Sequence, residues 1–254
     1  MSGLVEVRRD GDVCVLTLRR PEKLNAISAE VERALGSALD GDSVRTSRAL
    51  VLAGEGRAFS AGADVTEFRD RDVGAIMAYY RDTGSVYERF GSLPIPTLVA
   101  IHGYCLGGAL ELALAADFRV ADETAVFGLP EVALGILPST GGTHRLVRLL
   151  GTARAKELAL LRERFDAHEA FRLGLVTEVT PTGAVLARAL ELAQRLAELP
   201  PLAVALTKEA IDAMGESSRE AALFIERIGY AALAQTDEAR ARLDAFAERR
   251  RADG

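Results

Sequence analysis

Residues 97–117 read TLVAIHGYCLGGALELALAAD, and the fold turns on how this stretch is divided. Thr97 to Ile101 is a short apolar run with β-branched members, suited to a buried strand. It runs into Gly103, after which Gly107 and Gly108 open a Leu/Ala-rich segment that reads as a helix. Strand, glycine turn and helix in succession make one unit of a layered α/β structure. Glu111 falls on the first turn of that helix, inside what otherwise reads as protein interior. A fully buried carboxylate is costly unless it is paired, neutralised or put to use.

The same arrangement recurs on both sides. ALVLAGEGRAFSAGAD (49–64) and AVFGLPEVALGILPSTGGTHRLVRLLG (125–151) each lead from an apolar strand through a glycine-rich turn toward a helix. Upstream, residues 4–8 and 13–19 alternate in the strand period around Asp10-Gly11-Asp12, which predicts a β-hairpin. Ser28 is a candidate N-cap for an amphipathic helix reaching about Leu39, with Glu30 and Glu32 in its first turns, where the helix dipole favours them. Beyond about Pro200 the strand signals stop and Ala, Glu, Arg and Leu recur at helical spacing. There Ser217 with Glu220 fits a capping box, and Thr236-Asp237 begins another helix. The basic end Arg249-Arg250-Arg251 reads as a solvated helix terminus.

Composition narrows the function. The 254 residues are 49% hydrophobic, enough for one substantial core with a smaller appendage. A net charge of -6 offers no long-range attraction to nucleic acid or to an anionic membrane, so an anionic ligand must be held by local groups. Cys14 and Cys105 are too few for a disulfide framework and sit in apolar segments as small hydrophobes. The first residues lack the hydrophobic region of a signal peptide, and no run approaches the roughly 20 apolar residues of a membrane span. The expected compartment is the cytoplasm. His102, His144 and His168 lack metal-ligand spacing, and GYCLGGA matches neither G-x-G-x-x-G nor a Walker loop.

Three segments carry candidate chemistry. Glycines at the start of the 108 helix would let a ligand approach unpaired backbone N–H groups, a setting for negative charge. FGLPEV places a second carboxylate, Glu131, after a strand end and a Gly-Leu-Pro turn, again among apolar residues. Two carboxylates in different environments near one cleft are the usual equipment for acid and base work. RAFSAGAD offers a small-residue turn whose N–H groups at Gly62 and Ala63 could complete an oxyanion hole. Ser60 does not sit in a G-x-S-x-G nucleophile elbow.

RRPEKLNAIS (19–28), RAFSAGAD (57–64), IHGYCLGGALELALAADFRVA (101–121), FGLPEVALGILPSTGGTHRL (127–146) and FRLGLV (171–176) together resemble, in order and spacing, the crotonase family, most closely its enoyl-CoA hydratases. The resemblance spans nearly the whole chain. It implies an α/β spiral of repeated ββα units over residues 1–199, carrying the acyl-CoA site, and a C-terminal helical trimerisation region over 200–254. A homotrimer or homohexamer is therefore expected. By motif, Ala63 and Gly108 would supply the oxyanion-hole N–H groups, Glu111 would act as base toward water, and Glu131 would deliver a proton to Cα of an enoyl-CoA. Lys23, Leu24, Ala26, Ala61, Asp64, Val65, Tyr104, Gly107, Pro130, Pro138 and Gly141 would surround the thioester and coenzyme A. Coenzyme A would arrive with the substrate, and neither a metal nor a separate cofactor is implied.

Some positions depart from the family pattern. Val65-Thr66 stand where many relatives place a lysine near the coenzyme phosphates, which shifts that role toward Lys23. Leu161-Arg162 and Ala241-Arg242 replace common Thr-Gly and Glu-Gly pairs and bear on coenzyme affinity and subunit contacts. The resemblance leaves open an isomerase, hydrolase or decarboxylase of the same family, and a non-catalytic acyl-CoA binder; an RNA-associated role is disfavoured by the acidic balance. Residues 69–84, RDRDVGAIMAYYRDTG, are where the family varies its acyl pocket.

Overall fold

The computed structural model describes residues 3–67, 71–82, 85–215 and 217–252. These fall into two compact units, Met1–Ala197 and Glu198–Gly254, a division two residues before the expected one.

The first unit opens with a hairpin of β1 (Val5–Asp10) and β2 (Val13–Leu18), closed by Gly11-Asp12 with Asp10 opposite Val13. Gly11 takes φ 59°, the conformation that glycine adopts without strain. A short 3-10 turn, Pro21–Lys23, leads to helix α1 (Ala29–Leu39), and Ser28 caps α1 by accepting from Val31 N–H. A single helical turn, α2 (Asp42–Arg45), precedes β3 (Ala49–Gly54). Three spiral turns follow. After β3, the segment around Ser60 bridges Cys105, and the chain continues to α3 (Val73–Arg81) and α4 (Val86–Gly91). Then β4 (Thr97–Ile101) and β5 (Tyr104–Leu106) deliver α5 (Gly108–Ala115). Next β6 (Phe118–Asp122) and β7 (Val126–Gly128) deliver α6 (Gly142–Lys156). The unit closes with β8 (Phe165–Asp166), α7 (Ala167–Arg172), β9 (Glu178–Thr180) and α8 (Val185–Ala197).

The second and third turns each give one strand to each of two sheets, whereas the first gives β3 to the larger and only the Ser60 bridge beside β5. The larger has the order β1-β2-β3-β4-β6-β9 and is parallel except at its first pair; the smaller has the order β5-β7-β8. Parallel strands are buried on both faces, which explains their near-continuous apolar runs. Alternate residues divide between two cores. Leu16, Leu50, Leu52, Val99 and Ile101 pack with α1, α4 and α5, whereas Val13, Val15, Val51, Leu98 and Val120 pack with α8. Small residues Ala189, Ala193 and Ala197 recur every four positions along α8, giving a smooth face against the sheet. Both cysteines are buried, and each packs in the first core.

The second unit contains α9 (Pro201–Met214), α10 (Arg219–Leu233) and α11 (Asp237–Ala252). Its capping differs by one residue from the sequence expectation. Ser218, not Ser217, caps α10 by accepting from Ala221 N–H, while the Ser217 hydroxyl turns back to the carbonyl of Ala213. A hydroxyl one residue earlier satisfies the preceding helix instead, a competition that spacing alone does not decide. Thr236 caps α11, accepting from Ala239 N–H. Among the described residues, no helix is long and apolar enough to cross a membrane.

Candidate active site

The site forms where loops from successive spiral turns meet. Loop 20–27 is tied to loop 60–64 by the backbone: Ala61 N–H donates to Leu24 O, Ile27 N–H to Gly62 O, and Asp64 N–H to Ile27 O. Leu24 and Asn25 adopt positive φ, at 49° and 54°. The buried Asn25 side chain accepts from Arg20 N–H and donates to the carbonyls of Glu55 and Ala58. Ser60 is fully buried, its hydroxyl donating to Asn25 O and accepting from Gly62 N–H, a structural duty. Asp64 uses its carboxylate on Thr66 and on Arg20 at 2.9 Å, which together hold it below its ordinary value.

That scaffold aims one N–H group. Gly62, at φ 103°, lies so near the end of β5 that a Cβ there would come within 2.5 Å of Leu106 O. The next residue, Ala63, is the neighbour of Gly108: a Cβ added at Gly108 would lie 3.3 Å from Ala63 N. Gly108 is the first residue of α5, where backbone N–H groups have no intrahelical acceptor. Among the described residues, neither the Ala63 N–H nor the Gly108 N–H donates to any acceptor. Two unspent donors side by side at a helix N-terminus make a seat for negative charge.

Glu111 and Glu131 stand beside it. Glu111 is 3% exposed, and its Oε1 accepts from Thr140 N–H at 2.8 Å and Gly142 N–H at 2.9 Å, at the start of α6. Burial nonetheless pushes its carboxyl above the ordinary value, outweighing those hydrogen bonds. Glu131 lies on a 3-10 turn, Pro130–Leu134, directly after β7. Its Oε2 is buried and has no hydrogen-bond partner among the described residues. Burial, with the Glu111 charge added, pushes Glu131 up to about 7.

Glycines make room for both side chains. Gly107, at φ 51°, leaves space that a Cβ would fill 2.7 Å from Glu131 Oε1. A Cβ at Gly142 would lie 2.5 Å from Glu111 Cγ. Gly141 precedes it at φ 93°, beside Arg145, whose guanidinium donates to Thr140 O and so braces the loop that holds Glu111. Pro138 is buried in that loop. At the other end of α5, the buried Arg119 donates to the carbonyls of Ala113, Ala116 and Leu175, so the helix carrying Glu111 is held at both termini.

The structure therefore brings Ala63, Gly107, Gly108, Glu111, Pro130, Glu131 and Gly141 into one cluster, with Leu24, Ala26, Ala61 and Asp64 in the loops that support it. Others stand differently. Lys23 and Val65 are exposed, and the Tyr104 ring lies under the Arg164 guanidinium at 5.5 Å. Of the stretch 69–84, residues 69, 70, 83 and 84 lie outside the described residues. Asn25, Arg119 and Arg145 did not stand out in the sequence.

Glu131 has a consequence for stability. The folded carboxyl keeps its proton up to about pH 7, whereas an unfolded carboxyl releases it near 4.5. The unfolded chain therefore binds fewer protons between those values, and folding stability falls as pH rises from about 4.5 to about 7, then levels. Glu131→Gln should raise Tm relative to the parent at pH 8 and change it little at pH 4. Equal changes at both pH values would contradict the shift.

The family model for enoyl-CoA hydratase/isomerase matches residues 8–253. A 2,3-dehydroadipyl-CoA hydratase of Escherichia coli is 37% identical over 254 residues, covering 100% of this chain and 98% of the relative. A short-chain-enoyl-CoA hydratase of Clostridium acetobutylicum is 34% identical, with coverages of 98% and 97%. The crystal structure of an enoyl-CoA hydratase from Bacillus anthracis superposes with a TM-score of 0.90 at 34% identity, covering 97% of this chain and 96% of that one.

Proposed function

The chain belongs to the enoyl-CoA hydratase/isomerase family, and we propose that it adds water reversibly across the 2,3 double bond of a trans-2-enoyl-CoA, giving the 3-hydroxyacyl-CoA. The observation that carries this reading is the pairing of two buried carboxyls, both raised, beside the two unspent N–H groups of Ala63 and Gly108.

In this reading the thioester oxygen sits between the Ala63 and Gly108 N–H groups. Glu111 takes a proton from water as the water oxygen bonds to Cβ, and the displaced electron pair moves onto the thioester oxygen as an enolate. The two N–H groups hold that charge without reorganising, a contribution of about 3–4 kcal/mol per donor. The enolate then collapses and Cα takes the proton of Glu131. A carboxyl with a value near 7 holds a proton at neutral pH and can still release it, which suits an acid. Glu111, anchored by two N–H bonds, suits the base. Side chains and backbone carry every step; coenzyme A arrives with the substrate.

A set of 2-enoyl-CoA substrates of increasing chain length tests the reading through loss of the conjugated thioester's ultraviolet absorbance. Turnover with at least one supports it; none with any would leave a binder. The acyl group is not set by family resemblance, since relatives of similar identity are named for a dicarboxylic acyl group and for a short chain.

Coenzyme A binding is assigned to Lys23, exposed at the end of the 3-10 turn, in place of the lysine absent after Asp64. An exposed lysine acts on phosphate as a point charge, so Lys23→Ala should raise the apparent KM with kcat little changed. An unchanged KM would remove that loop from the phosphate site.

Assembly as a homotrimer or homohexamer completes the proposal. In the second unit Ile211, Phe224, Ile228, Tyr230, Leu243 and Phe246 are each more than half exposed, an apolar surface larger than a solitary helical unit needs. Sedimentation should show three or six chains per particle. A monomer at micromolar concentration would contradict it.

A further inference from the structure

A second buried polar cluster adjoins the paired N–H groups, and the proposed chemistry makes no use of it. Glu32, on α1, is 2% exposed, and Val31 and Leu35 beside it belong to the apolar core. The Tyr79 hydroxyl, from α3, donates to Glu32 Oε1 at 2.5 Å. Tyr87, from α4, is 1% exposed and interacts with the same carboxyl. Burial, reinforced by Glu32, pushes both phenols well above their ordinary values, so both keep their protons. Replacing buried ionisable groups by apolar residues is often neutral or stabilising, so such a group in a core invites a role other than stability.

Tyr87 connects this cluster to the site. A Cβ added at Gly108 would lie 3.4 Å from the Tyr87 hydroxyl oxygen and 3.3 Å from Ala63 N. Gly108 thus has the Ala63 turn and the Tyr87 phenol as its nearest neighbours where a side chain would otherwise stand. The Gly107-Gly108 pair has no Cβ to fix it by packing, and Gly107 already takes φ 51°. Helix α4 packs against both α1 and α5, which places it between the helix carrying Glu32 and the helix that Gly108 opens.

We propose that Glu32, acting through Tyr87, is a positioning residue that fixes the Gly108 N–H relative to the Ala63 N–H. The inference rests on the reading of these two groups as donors to a thioester carbonyl. The phenol occupies the space beside the bare Gly108 Cα, the Glu32 charge biases the direction of its hydroxyl, and the first turn of α5 keeps its aim. Removing the phenol oxygen, or the carboxyl that orients it, lets that turn drift while leaving both N–H groups present.

The test uses an enoyl-CoA bearing a 4-dialkylaminophenyl group, whose absorption moves to the red when its thioester carbonyl is polarised. The parent protein should produce the red shift. Tyr87→Phe and Glu32→Leu should bind the probe with similar affinity but lose most of that shift. With a reactive enoyl-CoA, kcat should fall about tenfold at little changed KM, less than the roughly 10²- to 10³-fold cost of deleting an oxyanion donor outright. Glu32→Gln, nearly isosteric and still able to accept from a phenol, should retain most of both signals. If the parent gives no shift, the donor reading fails and the proposal falls with it. If the parent shifts and Tyr87→Phe and Glu32→Leu shift equally, with only Tm lowered, the donor reading stands and the cluster is structural.

Discussion

Glu111→Gln and Glu131→Gln should each lower kcat by about 10²- to 10⁴-fold, the usual worth of a positioned acid or base. Each amide is nearly isosteric with the acid it replaces. In Glu111→Gln the amide carbonyl can still accept from the N–H groups of Thr140 and Gly142, so the folded state and acyl-CoA binding should survive. The losses should not add, because the two groups act on one water and the second substitution has little left to remove. An isomerase would behave differently, depending mainly on Glu131 and tolerating Glu111→Gln. Kinetics of the two single variants and the double variant, read as enoyl-CoA absorbance, separate these cases.

Gly142→Ala should come close to the same loss from outside the acid-base pair. Gly142 is buried on the first turn of α6, and alanine is the better helix former by about 1 kcal/mol, so helix propensity alone predicts a neutral or stabilising change. The site predicts otherwise. The new methyl carbon would lie 2.5 Å from Glu111 Cγ and 2.6 Å from its Oε1, closer than any real contact allows. Glu111 must swing away and give up the two N–H bonds that aim it. A displacement of about 1 Å in a reacting group can cost on the order of 10²-fold in rate. The expected result is a folded protein, destabilised by about 1–3 kcal/mol through overpacking, with kcat reduced at least a hundredfold on the same scale. Calorimetry and kinetics on one preparation check both halves, and near-parent turnover would contradict the placement of Glu111.

What the sequence displayed, and what it hid, follows the range over which the interactions act. The strand-glycine-helix units were legible because each is local, with β-branched runs, turn glycines and Ser28 within a few residues of one another. Glu111 and Glu131 were legible because a charged residue inside an apolar run is anomalous in its own neighbourhood. The hidden residues have partners far along the chain. Asn25 looks like an ordinary loop residue until its side chain is seen joining Glu55 and Ala58, and Arg119 passes for strand-end charge until it is found on Leu175. Glu32 read as a first-turn acid suited to the helix dipole, yet it is buried beneath Tyr79, 47 positions away. The cap of α10 was missed by one residue because Ser217 and Ser218 are equivalent until the preceding helix claims one of them.

If Glu111 and Glu131 add one water to an enoyl thioester, both the oxygen and the new C–H hydrogen of the product come from solvent. Mass spectrometry of the product formed from a 2-enoyl-CoA in 18O-labelled, deuterated water reads both atoms at once. The expected product is a 3-hydroxyacyl-CoA carrying the heavy oxygen at C3 and one deuterium at C2, formed by the parent protein and severely slowed in both Gln variants. A 3-enoyl product with deuterium and no heavy oxygen, or a free acid with the label in its carboxylate, would contradict it.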